Sequence, residues 1–330
     1  MSTDRPDLLA PFPYFGGKRH IVADLWRAFG SPRQYIEPFC GSAAVLLGAP
    51  SPATLEVVGD ANGFIANFWR AVVHQHEEVA RWADYPVSHI DLGARHGWLM
   101  AQRAALAESL ADPNWPGDAK VAGWWLWGQC AWIGSGWCEW ERAVGQIPHV
   151  GNAGMGVQAV GQIPHVGSAG MGVQAVGKIP HVGNAGRGGA LWTSCGRTAL
   201  AWLARLADRL ERVRVIHGDW SRCLNSHFGG AGADTAVFLD PPYVGFEGLY
   251  AAKPKIAVEV AEWARANAGM RIALCGHVGE HTMPGWREWK WERPRLTYGS
   301  DKTKADECVW FSPACIAPQD DMPLFSRGAA

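Results

Sequence analysis

Charge is scarce in this chain and neither sign prevails: 18% of the 330 residues are charged, and 30 Lys and Arg face 31 Asp and Glu. A net charge of −1 lacks the basic excess by which proteins that coat nucleic acid neutralise phosphates. The eight cysteines (40, 130, 138, 195, 223, 275, 308 and 315) include no CxxC pair, and they are too dilute for a disulfide scaffold. Free, mostly buried thiols in a reducing cytoplasm are expected. The start, Met1-Ser2-Thr3-Asp4-Arg5, lacks the basic and then apolar plan of a secretory signal. Long runs of Leu, Ile and Val are missing as well. Val121 to Cys138 carries no charge, but it is built largely of Trp, Gly, Gln, Ser and Cys, so it reads as a buried aromatic segment rather than a membrane span. What is present is a hydrophobic fraction of 48%, enough for a sizeable core.

The balance of charge hides a pattern. Residues 71–143 hold 9 acids and 5 bases, whereas residues 144–210 hold 1 acid and 5 bases. A second basic zone carries Arg287, Lys290, Arg293, Arg295, Lys302 and Lys304 against Glu288, Glu292 and Asp301. Inside residues 144–210 lies an internal repeat: the segment from Val144 to Gly156 returns at Val160 and again, degraded, from Val176 to Gly188. Its Gly and Pro content rules out a helix, and it has too few large apolar residues for a core. His149, His165 and His181 recur at a fixed spacing, but without neighbouring Cys, Asp or Glu they make a thin metal-ligand set. A Gly-rich loop insertion is the expectation, with contact to a polyanion left open.

Either side of the repeat the texture differs. Phe64, Phe68 and Val72, then Leu99, Leu106 and Leu110, have helical spacing, and Leu200, Leu203, Leu206 and Leu210 mark a further helix. From Val213 onward short apolar strands are expected at Val213–Ile216, Ala236–Leu239 and Ile272–Cys275, with a helix at Ile256–Asn267. The first sixty residues read the same way: helix Lys18–Phe29, strand Gln34–Glu37, a short helix from Ala43, strand Leu55–Val58. Alternation of this kind predicts a parallel sheet. The expected organisation is one α/β domain built from residues 1–70 and 211–330, interrupted by a largely helical insert at 71–210 that contains the repeat (144–188).

Two segments point to chemistry. Strand Gln34–Glu37 runs into Pro38-Phe39-Cys40-Gly41-Ser42-Ala43, a small-residue turn that lets backbone approach a ligand at the carboxyl edge of a sheet. The next strand ends in Gly59-Asp60, where an acid can accept hydrogen bonds from ribose hydroxyls. This combination suggests a nucleoside-containing cofactor, although one Gly turn and one Asp fit many doubly wound proteins; the missing GxGxxG argues against a dinucleotide. The other segment is Val237-Phe238-Leu239-Asp240-Pro241-Pro242-Tyr243. Asp-Pro-Pro-Tyr occurs by chance in roughly one chain in a thousand of this length. Two prolines fix the backbone, so the Asp240 carboxylate and the Pro241 carbonyl become preorganised acceptors. Such a pair suits an exocyclic amine, whose delocalised lone pair must become more tetrahedral before it reacts, and Tyr243 offers a ring for stacking on an extruded base.

Asp240-Pro241-Pro242-Tyr243 resembles the catalytic motif of amino-methyltransferases acting on DNA bases. Pro13-Tyr14-Phe15-Gly16-Gly17-Lys18 is similar to that family's aromatic-x-Gly-Gly-Lys element, and Tyr35 to Ser42 to its cofactor loop. Asp60-Ala61-Asn62 with Asn67, His217-Gly218-Asp219-Trp220, and the closing segment Glu307 to Pro313 follow in the family's order. The chain thus resembles the DNA adenine methylase family over about residues 11–70 and 210–315. The resemblance implies a Rossmann-like S-adenosylmethionine-dependent methyltransferase sheet, with 71–210 as the target-recognition region. Carried onto this sequence, it implies that Tyr14, Lys18, Phe39, Gly41, Asp60, Asp219, Trp220 and Asp240 serve S-adenosylmethionine, with Asp240, Pro241, Pro242 and Tyr243 catalytic. Ala43 stands where many relatives carry Gly.

The expectation is therefore an adenine-N6 methyltransferase acting on double-stranded DNA, needing no metal and no covalent intermediate. Arg295, Lys302 and Lys304 are expected on phosphates. The competing readings are another acceptor (cytosine N4, RNA adenine or a glutamine side chain) and a non-catalytic DNA-binding relict. The protein is expected to be a cytoplasmic monomer, and the resemblance admits a cognate restriction endonuclease as partner.

Overall fold

The structure, a computed structural model, describes residues 8, 10–12, 14, 18–85, 88–131, 137–138, 199–224, 232, 234–243, 256–290 and 307–316. The 16-residue repeat with its three histidines, and Arg295, Lys302 and Lys304, lie outside the described residues. Seven strands form one sheet in the order β3-β2-β1-β4-β5-β7-β6. They are β1 (Gln34–Glu37), β2 (Leu55–Asp60), β3 (Val213–His217), β4 (Thr235–Leu239), β5 (Arg271–His277), β6 (Arg287–Lys290) and β7 (Glu307–Phe311). The run 3-2-1-4-5 is that of a doubly wound nucleotide-binding sheet, here extended by an antiparallel pair. By compactness the chain divides into two units, Met1–Lys18 with Cys40–Gly48 and Gly59–Trp220, and Arg19–Phe39 with Ala49–Val58 and Ser221–Ala330.

In the second unit, β1 pairs in parallel with β2 and β4, and β4 in parallel with β5, whereas β5/β7 and β6/β7 are antiparallel. Every residue of β1 and of β4 is buried. Strands covered on both faces need apolar residues at successive positions, which explains why these segments read as continuous runs rather than alternations. Helix α1 (Val22–Phe29) buries Val22, Leu25, Trp26 and Phe29, the i, i+3, i+4, i+7 stripe of a helix packed on one side. Helix α7 (Ile256–Ala266) leads into β5 and buries Ala257, Val260, Ala261 and Ala264.

The first unit is mostly helical: α2 (Ala44–Leu47), α3 (Gly63–Ala83), α4 (His89–Ser109), α5 (Ala119–Ala131) and α6 (Ala199–Leu210). Asn62 caps α3 by accepting from Phe64 N–H at 3.0 Å, and Ser88 Oγ caps α4 by accepting from Asp91 N–H at 3.1 Å. Helix α3 runs across residues 70 and 71 and departs from helical geometry at Gln75 (φ −146°), whose side chain donates to the Gly117 carbonyl at 2.8 Å. Asn67, fully buried, donates to the Asp118 carbonyl and accepts from its N–H (3.1 and 2.8 Å), while Asp118 Oδ1 accepts from Val121 N–H and so opens α5. Phe12 inserts among Phe68, Trp69 and Trp125 with ring centroids 5.3, 6.0 and 4.8 Å away.

The uncharged aromatic stretch read at Val121–Cys138 begins as α5, buried almost all round. Gly128 faces the Trp137 indole so closely that a Cβ would lie 1.9 Å from its ring carbons, and Trp137 Nε1 donates to the Trp125 carbonyl at 3.0 Å. Among the described residues no helix is long and apolar enough to cross a membrane. The seven described cysteines are free thiols, six of them buried.

Candidate active site

Parallel pairing in register brings the carboxyl ends of β1 and β4 side by side, with Ile36 opposite Val237. Chain order reverses direction across the sheet between these two strands, and at such a switch point the departing loops diverge and leave a crevice for ligand. Asp240 is the first residue beyond β4, and Pro38-Phe39 the first beyond β1. Phe39 is half-buried in that turn, and Pro241 is buried.

Within the first unit the structure gathers several expected cofactor residues. The small-residue turn closes through Ala43 N–H to the Cys40 carbonyl (2.6 Å), and Cys40 N–H donates to the Gly59 carbonyl (2.9 Å). Gly41 has φ +45°, and a Cβ there would lie 2.5 Å from Tyr14 Cδ1. Glycine is therefore required both by its conformation and by the aromatic ring laid against it. Gly41 N–H donates to Asp60 Oδ2 at 3.0 Å, and Asn62 N–H to Asp60 Oδ1 at 2.9 Å. Gly218 N–H donates to the Asp60 carbonyl at 3.1 Å, which brings the start of Asp219-Trp220 to the same strand end. Trp220 is buried and Asp219 half-buried.

Ala43 adopts φ 51°, ψ 32°, a left-handed conformation that disfavours an L-residue by roughly 1 kcal/mol. Burial pushes the Asp60 carboxyl up from 3.8 to about 6, although the N–H groups of Asn62, Gly41 and Ala61 pull the other way. Lys18 is buried, 5% exposed, immediately before the 3-10 turn Arg19–Ile21 that leads into α1.

In the second unit the Tyr243 hydroxyl donates to Asp240 Oδ1 at 3.1 Å. Burial, with the Asp240 carboxylate beside it, holds the phenol well above its ordinary range, so it remains a donor at neutral pH. The Tyr243 ring meets the imidazole of His277 edge to face, centroids 4.7 Å apart. His277 ends β5, and its N–H donates to Glu280 Oε2 at 2.7 Å.

Two contacts of these groups had no sequence signal: Trp69, whose indole N–H donates to the Gly41 carbonyl at 3.1 Å, and His277 against Tyr243. Both join segments far apart in the chain, and neither belongs to a motif.

Residues 14–86, which include Tyr14, Lys18, Phe39, Gly41 and Asp60, match the family model of the D12 class N6 adenine-specific DNA methyltransferase. No curated protein matches the sequence. That match, on the turn and strand end described above, supports the DNA adenine methylase family and, with it, methylation of the N6 amine of adenine in DNA.

Proposed function

We propose that this enzyme draws its methyl group from S-adenosylmethionine, held by Tyr14, Lys18, Phe39, Gly41, Asp60, Asp219 and Trp220, and transfers it to an adenine extruded from double-stranded DNA. The described residues suit such a donor. A turn of Gly41, Ser42 and Ala43 lets backbone come close to a ligand, and a carboxylate raised by burial gains most from hydroxyl donors of the kind a ribose offers. When bound, S-adenosylmethionine supplies an electrophilic methyl group on a sulfonium centre.

The protein's part is to prepare the acceptor. Asp240 and the Pro241 carbonyl accept the two N–H groups of the adenine amine, drawing its lone pair out of conjugation with the ring. Pro241 and Pro242 keep both acceptors still, so no reorganisation is needed as positive charge develops on nitrogen. Asp240 would take the proton the amine loses as its nitrogen bonds to the methyl carbon and the methyl–sulfur bond breaks, leaving the cofactor as a neutral thioether. Tyr243 orients Asp240 through its hydroxyl and offers ring surface to the base. Arg295, Lys302 and Lys304 contact phosphates and set the duplex in register without reading sequence. Free thiols suit a cytoplasmic protein.

The observation that carries this reading is the Asp240 carboxylate, immediately beyond β4 at the switch point and bonded to the Tyr243 phenol. The test is Asp240→Ala, incubated with methyl-labelled cofactor and duplex DNA, which is then digested to nucleosides. Wild type should yield labelled N6-methyladenine, and the variant should lose several powers of ten in rate while keeping its far-ultraviolet circular dichroism. Activity within tenfold of wild type, or label in N4-methylcytosine, would overturn the assignment.

A further inference from the structure

We infer that Trp69 is a positioning residue for the cofactor turn, acting through its indole N–H on the Gly41 carbonyl; the inference rests on the S-adenosylmethionine reading above. Trp69 lies in α3, is 0% exposed, and reaches across 28 positions of sequence to make this bond at 3.1 Å. Gly41 is thereby gripped on three sides. Its N–H is taken by Asp60, its Cα face by the Tyr14 ring, and its carbonyl by Trp69. Asp60 and Tyr14 are assigned to the cofactor itself. Trp69 is sealed inside the unit, so its influence on a ligand has to pass through the turn.

The turn needs such a hold. A glycine at positive φ followed by Ser42 and Ala43 has little stiffness of its own, and a binding loop that samples several shapes binds more weakly than one already ordered. The indole in turn is fixed from behind. Asn67, one half-turn earlier on α3, is clamped to the Asp118 backbone by two hydrogen bonds, Asp118 caps α5, and Phe12 packs on both Trp69 and Trp125. Contacts therefore run without a break from α5 through α3 to the Gly41 peptide. On this view the helices do more than carry recognition surface: they hold the donor's turn in its binding shape.

The test uses the full-length enzyme with Trp69→Phe, and with the benzothienyl analogue of tryptophan at position 69, which keeps the bicyclic shape and lacks the N–H. Calorimetry gives Kd for S-adenosylmethionine, a separate titration gives Kd for duplex DNA, and thermal unfolding is followed alongside. Both variants should bind S-adenosylmethionine about tenfold more weakly, bind DNA within about twofold of wild type, and raise KM for the cofactor while kcat falls less than about threefold. If the folded variants bind the cofactor as wild type does, Trp69 is a core residue only, whatever happens to Tm. Should the phenylalanine variant not fold, the shape-preserving analogue decides alone. Asp60→Ala, measured beside them, separates the two possible failures. Unchanged cofactor affinity there overturns the reading of the site itself, whereas weakened affinity there with intact affinity in the Trp69 variants overturns only the role given to Trp69.

Discussion

Asp60 allows the cofactor assignment to be tested by pH. Its carboxyl is pushed up to about 6 by burial, so on the order of one molecule in ten is ionised at about pH 5 and nine in ten at about pH 7. Ribose hydroxyls donate to the charged form and stabilise it, so binding lowers this pKa and expels a proton wherever the free enzyme still holds one. If only the ionised form binds, affinity for S-adenosylmethionine should rise about tenfold between pH 5 and pH 7, with its bend near 6. The opposite sign holds for folding. The folded carboxyl keeps its proton to higher pH than the unfolded chain, whose value is 3.8, so this group's contribution favours the folded state below about pH 4 and is lost progressively up to about pH 6. Calorimetric titrations across this range, repeated in buffers of different ionisation enthalpy, measure both affinity and protons released. Asp60→Asn should bind more weakly and show no bend at 6. A wild-type profile that is flat, that tightens towards acid, or that Asp60→Asn reproduces would refute the role given to this side chain.

Other perturbations separate the remaining parts. Tyr243→Phe keeps the ring and removes the hydroxyl from Asp240, so kcat should fall about three- to tenfold with DNA affinity unchanged; single-turnover kinetics checks this. Gly128→Ala forces a methyl group into the Trp137 indole and should destabilise the fold by about 2–3 kcal/mol, read from denaturant midpoints. Neutralising Arg295, Lys302 and Lys304 together should flatten the log–log salt dependence of DNA binding by about two to three units, followed by fluorescence anisotropy.

Strand positions were legible because burial on both faces leaves a plain apolar run. Gln34–Glu37 agrees residue for residue, β4 is longer by Thr235, and β2 extends two residues to include Asp60 itself. Helix α1 could be read from its stripe, and α3 and α4 from their spacing. Helix α5 could not: with apolar residues on every side it has no periodic face, so composition disclosed its burial but not its conformation. The left-handed φ of 51° at Ala43, a conformation glycine adopts more readily, left no mark in the sequence. Trp69 and His277 carried no local signal at all, since hydrogen bonds and ring contacts between distant segments are settled by packing.

The dependence of α5 on its neighbours has a consequence for how the protein is made. Thirteen residues is a length at which even alanine-rich peptides are barely helical, and Gly123 and Gly128 each disfavour the helix by about 1 kcal/mol. The segment can hold its shape only once α3 is beneath it and Trp137 is seated over Gly128. During synthesis Phe12 leaves the ribosome long before Trp125, one of its ring partners, has been translated. The nascent chain must therefore carry α3 without its α5 backing until roughly residue 138 has emerged, and amides of α3 and α5 should exchange with solvent together, as one cooperative block.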